Sequence, residues 1–325
     1  MKKIILLFFV LTLLTIFGGA WFIYSLSPLN SNKTSKRFVI EQGETASQIG
    51  RDLAKANLIK SALAFRIYSQ VTQTAKSIKP GSFDLSSNLW VPQVVSKLLA
   101  GPTEVWITVP EGLRHQEIPQ RFINAFELSG KAATDFNDQF LSLTTNKEGF
   151  LFPDTYLMAR DTTPTTIVKV MEDNFGKKYA SIKATQTVSF TQMQIITIAS
   201  IIEREAITPE DMQGVASVLE NRLFYGMTLG SDVTLEYALG YQPTEKTWWK
   251  EGLTADDLLL NSSYNTRINA GLPPTPISNP GLTAIEAAMN PPKTDYLYYL
   301  SDSDGKLHFA RTLEEHNLNI SKYLQ

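Results

Sequence analysis

Ile201-Ile202-Glu203-Arg204-Glu205-Ala206 sets two carboxylates at the end of an almost wholly apolar run. Thr191 with Gln194 three positions on reads as a capping box, and Met193, Ile195, Ile196, Ile198, Ala199, Ile201 and Ile202 follow without Pro or Gly. Ile195, Ile198, Ala199, Ile202 and Ala206 fall on one face, and Met193, Ile196 and Ile201 extend the apolar surface around most of the circumference. Such a helix is buried on several sides. Thr208-Pro209-Glu210-Asp211 restarts the chain as a new helix, with Thr208 as N-cap, Pro209 in the first turn and two acids where the dipole favours them. The first helix therefore stops near Ala206 or Ile207. Both acids lie in its last turn, where the negative end of the dipole and apolar packing each disfavour the ionised form. A carboxyl group that keeps its proton near neutral pH has the property a general acid needs.

Glu203 and Glu205 are two residues apart, so at about 100° per residue they project to nearly opposite sides. One helix cannot aim both at one bond. Glu205 stacks over Ile198, Ile201 and Ile202, and Glu203 over Ile196, Ala199 and Ser200, which leans only slightly to Glu205 as the acid in the more apolar setting. The alternative is that one or both pair with Arg204, Arg222 or lysines at a helix end.

The rest of the composition narrows the field. A chain of 325 residues, 43% hydrophobic and 19% charged, is globular and long enough for two or three domains. A net charge of −2 without a Lys/Arg-rich run gives no electrostatic case for nucleic acid. Cysteine is absent and only His115, His308 and His316 are present, so disulfides, thiolate catalysis and a Cys- or His-built metal site are not expected. No cofactor is expected either.

The N-terminus is a different material. Ile4 to Tyr24 carries no charge, none follows until Lys33, and the stretch is long enough to cross a bilayer core of roughly 30 Å. Its apolar run exceeds a signal-peptide core, and Trp21, Phe22 and Tyr24 form an aromatic belt at its far end. Residues 1–26 are therefore read as a retained transmembrane anchor in preference to a signal cleaved near Gly18-Gly19-Ala20. A polar linker, 27–37, leads to the body. One anchor before a Cys-free body suits a bacterial inner (plasma) membrane with the body on the periplasmic, extracytoplasmic side.

Residues 38–102 read as strand (Arg37 to Ile40), a Gly43-Glu44 turn, helices over Thr45–Ala56 and Leu63–Val71, a strand at Phe83–Leu85 and a helix over Val91–Leu99. This order, with the Gly43-Glu44-Thr45 turn, resembles the LysM peptidoglycan-binding module; an ordinary small α+β unit is the alternative. About 69 residues on, Thr108-Val109-Pro110-Glu111-Gly112 with Ile118 and Phe122 echoes Val39-Ile40-Glu41-Gln42-Gly43 with Ile49 and Leu53. Each copy reads as strand, Gly turn, helix.

From 103 to 325, with its core at about 191–325, the chain reads as mainly helical with one small antiparallel sheet. Glu148-Gly149-Phe150-Leu151-Phe152-Pro153-Asp154-Thr155-Tyr156 is a rigid aromatic loop that either plugs the underside of a core or walls a cleft. A helix over Pro209 to about Tyr225 stops at Gly226. Gly271 to Gly281 is a stiff, Pro-rich loop, Leu282–Met289 a helix, and Tyr296–Leu300 with Leu307–Phe309 a hairpin around Asp304-Gly305. The fold class is α+β.

Taken together these residues resemble the MltG-type endolytic murein transglycosylases, the YceG-like family. The resemblance runs over nearly the whole chain through EGFLFPDTY (148–156), ASIIERE (199–205), VLENRL (218–223), SDVTLEYALG (231–240), YNTR (264–267), GLPPTPISNPG (271–281) and EHN (315–317). It implies Glu205, the second acid of its motif, as the catalytic residue, with Glu203 a structural partner of Arg204 or Arg222. It also implies cleavage of the β-1,4 bond between N-acetylmuramic acid and N-acetylglucosamine inside nascent strands, leaving 1,6-anhydro ends and terminating glycan elongation. Tyr264, Asn265 and Thr266 are candidates to position acetamido and hydroxyl groups, and Asp232, Thr234, Glu236 and Asn279 to line the cleft. The family usually has Pro where this chain has Val233. Implied partners are peptidoglycan strands, the membrane and peptidoglycan synthases. Two other readings stay open: a non-catalytic peptidoglycan-binding scaffold, and a hydrolysing muramidase using a second carboxylate among Glu148, Asp154, Asp232 and Glu236. A pyridoxal-phosphate lyase has no lysine in a suitable context.

Overall fold

The computed structural model describes residues 2–185 and 190–324. It is α+β, with thirteen α-helices and six strands among the described residues. The chain divides into two units, Met1–Ile107 with Thr155–Thr162, and Thr108–Asp154 with Thr163–Gln325.

The first unit opens with α1 (Lys2–Leu26), of which Ile5–Leu26 is long and apolar enough to cross a membrane. At 22 residues it spans about 33 Å, slightly more than a bilayer core. Lys60 Nζ holds its C-terminal end, 3.9 Å over the Tyr24 ring and 2.7 Å from Ser27 Oγ. Then follow β1 (Lys36–Ile40), α2 (Ala46–Lys55), α3 (Ala62–Val71), β2 (Gly81–Leu85), α4 (Val91–Leu99) and β3 (Glu104–Thr108). With β4 (Thr155–Ala159) they form a four-stranded sheet in the order β1-β2-β3-β4. Thr45 and Gln48 close a reciprocal capping box at the start of α2. β1 and β2 run antiparallel with Phe38 opposite Phe83, and both rings enter a core with Leu53, Phe65, Leu85 and Leu98. The four-stranded sheet is wider than the sequence pattern suggests, because β4 returns from beyond two intervening helices and a local pattern carries no sign of its partner.

The second unit is built around α8 (Gln192–Glu205), preceded by α5 (Ile118–Phe126), α6 (Gly130–Thr144) and α7 (Pro164–Ser181). After it come α9 (Pro209–Phe224), α10 (Asp232–Leu239), α11 (Ala255–Leu258), α12 (Leu282–Met289), the hairpin β5 (Tyr298–Ser301) and β6 (Leu307–Ala310), and α13 (Leu313–Tyr323). Thr191 and Gln194 make the expected capping box, and every residue from Ile195 to Ile202 is buried against α9, α12 and their neighbours. Burying five isoleucines at about 1.5–3 kcal/mol each outweighs the roughly 1 kcal/mol of a cap, so packing holds α8 in place. The two hydroxyls inside this apolar helix are satisfied locally: Thr197 donates to Met193 O at 2.8 Å and Ser200 to Thr197 O at 2.8 Å. Ser200 Oγ also accepts from Ile277 N at 3.0 Å, and its carbonyl accepts from Ser278 Oγ at 3.1 Å. These bonds tie the stiff 271–281 loop to α8.

The 148–156 loop takes the plugging role of its two readings. Leu151 and Phe152 are buried, and Asn279 Oδ1 accepts from Gly149 N at 3.0 Å and Leu151 N at 2.9 Å. The β5–β6 hairpin reaches α9 at Gly214, where a β-carbon would meet the Phe309 ring at 2.2 Å. Only glycine lets the hairpin lie that close to the helix.

Candidate active site

Glu205 ends α8 where the chain turns into Thr208 and α9, so its side chain leaves the apolar bundle and enters a cleft of about 430 Å³. Ser231 Oγ donates to Glu205 Oε1, and the Tyr299 phenol, placed by β5, donates to the same carboxylate. Arg222 from α9 lines the cleft as well, its guanidinium held by Leu229 O and, at 2.7 Å, Leu297 O. Burial pushes the Glu205 carboxyl group above its ordinary value; the Ser231 and Tyr299 hydrogen bonds and the Arg222 charge oppose that, and the Asp232 charge adds to it. The Tyr299 phenol is raised well above its ordinary value by burial and by the Glu205 charge, so it stays a donor. His316 from α13 completes the polar lining; its ring stacks on Tyr298 at 5.3 Å, and burial and Arg222 keep it neutral-leaning.

Glu203 leaves α8 on the other side. Its Oε2 accepts from Gly281 N at 3.0 Å, at the N-cap of α12, and Glu111 lies close by. Burial, then the Glu111 charge, push Glu203 up to about 7 against the pull of that N–H and of Arg204. Of the two expected partners, Arg204 acts on Glu203 by its charge while Arg222 stands beside Glu205, and the hydrogen bond to Glu203 comes from the Gly281 backbone amide. A helix N-terminus left without side-chain cap at Gly281 recruits the nearest carboxylate.

The residues picked from sequence scatter. Asp232 lines the cleft with Glu205 and is ion-paired with Arg267, whose Nε lies 2.6 Å from Asp232 Oδ1. The 232–236 segment is the start of α10, and that sends alternate residues to opposite sides. Glu236, one turn after Asp232, feels the charges of Arg204 and Glu205, while Thr234 is buried and bonded to Ser231 O at 2.7 Å and Thr266 Oγ1 at 2.8 Å. Thr266 is buried in the same cluster, and Asn265 spends its amide on Leu258 O and Leu260 O at 3.1 and 2.9 Å. Tyr264 pairs its hydroxyl with Thr275 Oγ1 at 2.7 Å and leans on Tyr237. Asn279 is fully buried between Gly149, Leu151, Leu113 and Glu148. The polar atoms of Thr234, Asn265, Thr266 and Asn279 are thus committed to the fold. Of the other candidate carboxylates, Glu148 is buried against His115 and Asn279, and Asp154 accepts from Asn174 at 3.0 Å.

The YceG-like family model matches residues 38–322. The chain belongs to the YceG-like family. It is 34% identical to an endolytic murein transglycosylase of Bacillus subtilis (strain 168), over 95% of this chain and 91% of that one. An endolytic murein transglycosylase of Streptococcus pneumoniae serotype 2 is 28% identical over 95% of this chain, which spans 62% of that relative. A crystal structure of a YceG-like protein of Listeria monocytogenes superposes with a TM-score of 0.55 at 31% identity, covering 88% of this chain and 99% of the other.

Four cleft groups of this YceG-like chain escape a reading of its sequence as site residues: Ser231, Tyr299, Arg267 and His316. Ser231, Arg267 and His316 sit inside quoted motifs, so their neighbours gave a signal. Tyr299 gave a weaker one, since in a two-residue period it shares a face with Leu297 and Ser301 and nothing marks that face as lining a cleft.

Proposed function

We propose that this protein is a membrane-anchored endolytic murein transglycosylase with Glu205 as its acid and base. The supporting observation is that Glu205 is a carboxyl group raised by burial that still lines an open cleft, held there by two hydroxyl donors. Protonated Glu205 donates to the glycosidic oxygen and the bond from that oxygen to C1 of the N-acetylmuramic acid unit breaks, freeing the N-acetylglucosamine 4-hydroxyl. The substrate's own acetamido group stabilises the developing positive charge. The C6 hydroxyl then closes on C1, returning its proton to the Glu205 carboxylate and leaving a 1,6-anhydro end. No water and no second enzyme carboxylate enter. Ser231 and Tyr299 fix the carboxylate and shift with it as its charge changes, and Arg222 offsets the charge once the proton has left.

Asp232 gives one observation in favour of a second reading, since it is a carboxylate in the same cleft and would serve a hydrolase; its ion pair with Arg267 argues for a positioning role instead. In either reading residues 1–26 anchor the body on the outer side of the plasma membrane, and residues 38–102 act as a LysM-like glycan-holding module before the catalytic region, 103–325. Cleavage in nascent strands near the membrane would end their elongation beside the peptidoglycan synthases. Digestion of purified peptidoglycan followed by mass analysis of the products tests the proposal. Anhydro ends support it, reducing ends replace it with the hydrolase, and intact glycan with folded protein leaves a binding scaffold.

A further inference from the structure

Past the end of α10 the chain makes a short turn-back over residues 240–249 that the cleft does not use. Gln242 N donates to Thr247 O at 2.7 Å across an antiparallel bridge, and Gln242 Nε2 donates to Gly240 O at 3.0 Å. The bridge sets Tyr241 and Trp248 side by side, ring centroids 5.3 Å apart and inclined at 58°. Tyr241 is 46% exposed and Trp248 is partly exposed. Among the described residues nothing bonds the Tyr241 hydroxyl or the Trp248 indole N–H.

Trp249 shows the contrast. Its indole N–H donates to Glu117 Oε2 at 3.2 Å, and Arg114 and Arg204 lie over its ring at 4.1 and 3.9 Å. Arg114 is itself buried, bonded to Tyr237 O at 3.1 Å and Glu236 O at 2.9 Å. Arg114 also approaches the Trp248 ring, 5.6 Å from its centroid, so Trp249 and Arg114 together anchor the turn, leaving Tyr241 exposed and Trp248 partly exposed. Rigid aromatic faces with unspent polar tips suit a pyranose ring, whose C–H face lies on the π surface while its hydroxyls reach the N–H and O–H at the rim.

The position of this pair names the sugar's source. Asp232, the first residue of α10, lines the cleft, Glu236 one turn on feels the Glu205 charge, and Tyr241 follows two residues after the helix ends. Eight helical residues span about 12 Å, so a strand leaving the cleft along α10 reaches the turn within a few sugar units. We infer that Tyr241 and Trp248 form a second glycan-binding subsite, an aromatic shelf that takes a ring of the same strand away from the point of cleavage. The inference rests on reading the cleft as glycan-cleaving and adds a preference for long strands.

Two measurements separate the shelf from the cleft. In the full-length enzyme, Trp248→Ala and Tyr241→Ala should lower the ratio of kcat/KM on long glycan strands to kcat/KM on the shortest cleavable oligosaccharide by about tenfold. Trp248→Phe, which keeps a flat ring, should recover most of that ratio. Binding is read apart from cleavage by adding Trp248→Ala to Glu205→Gln protein and titrating soluble glycan strands, where Kd should rise about tenfold. An unchanged ratio, or an unchanged Kd in the double variant, overturns the shelf. Loss of cleavage-site chemistry alone, with the Kd shift intact, overturns the reading of the cleft and leaves the shelf standing as a glycan-binding surface.

Discussion

The two sides of the last turn of α8 hold carboxyl groups with similar electrostatics and different surroundings. Glu203 and Glu205 are both raised by burial, and each accepts at least one well-placed hydrogen bond. On the Glu203 side the space is closed: Gly281 starts α12 there, and a β-carbon on that glycine would already overlap Glu111. On the Glu205 side the chain has opened a cleft, walled by α9, the start of α10, β5 and α13. A raised pKa records lost hydration, which a structural carboxyl group and a catalytic one share. What separates them is whether a substrate atom can arrive. The donors differ too, for a backbone amide cannot follow a changing charge, whereas the hydroxyls of Ser231 and Tyr299 can rotate with it.

The sharpest way to break this contrast is at the carboxyl groups themselves. Glu205→Gln should lower glycan cleavage about a thousandfold, followed by release of soluble fragments, while its thermal unfolding stays close to that of the unaltered protein. An equal loss in Glu203→Gln with an unchanged Tm would move the acid to the closed side.

Asn279 tests the closed side as structure. Asn279→Ala strands the Gly149 and Leu151 amides and removes a partner of buried Glu148, which should cost about 3 kcal/mol and lower Tm by about 10 °C in a calorimetric scan. A loss of cleavage without that Tm shift would instead put Asn279 in contact with substrate.

Tyr299→Phe sharpens the open side. It should cut kcat about tenfold, and because the phenol's hydrogen bond favours the ionised Glu205, its removal should move the alkaline limb of the pH–rate profile to higher pH. A shift to lower pH would mean the phenol supports the protonated form.

The last test of the closed side concerns Glu203 and pH. Its folded value of about 7 lies above its ordinary 4.5, so the folded state holds the extra proton and loses stability as pH rises between those values. Glu203→Gln keeps the acceptor for Gly281 N and has no proton to lose. Its Tm relative to the unaltered protein should therefore climb from pH 4.5 to 7 and level off beyond, and a flat difference across that range would place Glu203 in water.

Legibility followed the range of the interactions. The cap at Thr191, the restart at Thr208, the Leu282–Met289 helix and the turns at Gly43 and Gly112, with φ of +83° and +75°, are local events written within a few neighbouring residues. At α10 the cleft candidates 232, 234 and 236 are spaced as residues along one face of a strand would be. That holds for an extended segment, but a helix turns residue 234 inward, and Thr234 went to the Ser231–Thr266 cluster. The same geometry separates Glu203 from Glu205 two helices earlier, on α8.

The sequence by itself determined that an apolar helix ends in two acids on opposite sides, that the first 26 residues suit a membrane, and that the motifs belong to the YceG-like family. Spacing, capping and composition act over a few residues and need no folded partner to be read. Only the tertiary structure decided which acid has room before it. That depends on where Ser231, Arg222, Tyr299 and His316 meet, and those four come from segments up to 94 residues apart in number that share no local pattern. Burial can be anticipated from a helix's own residues, but a cleft is the space that several elements leave between them.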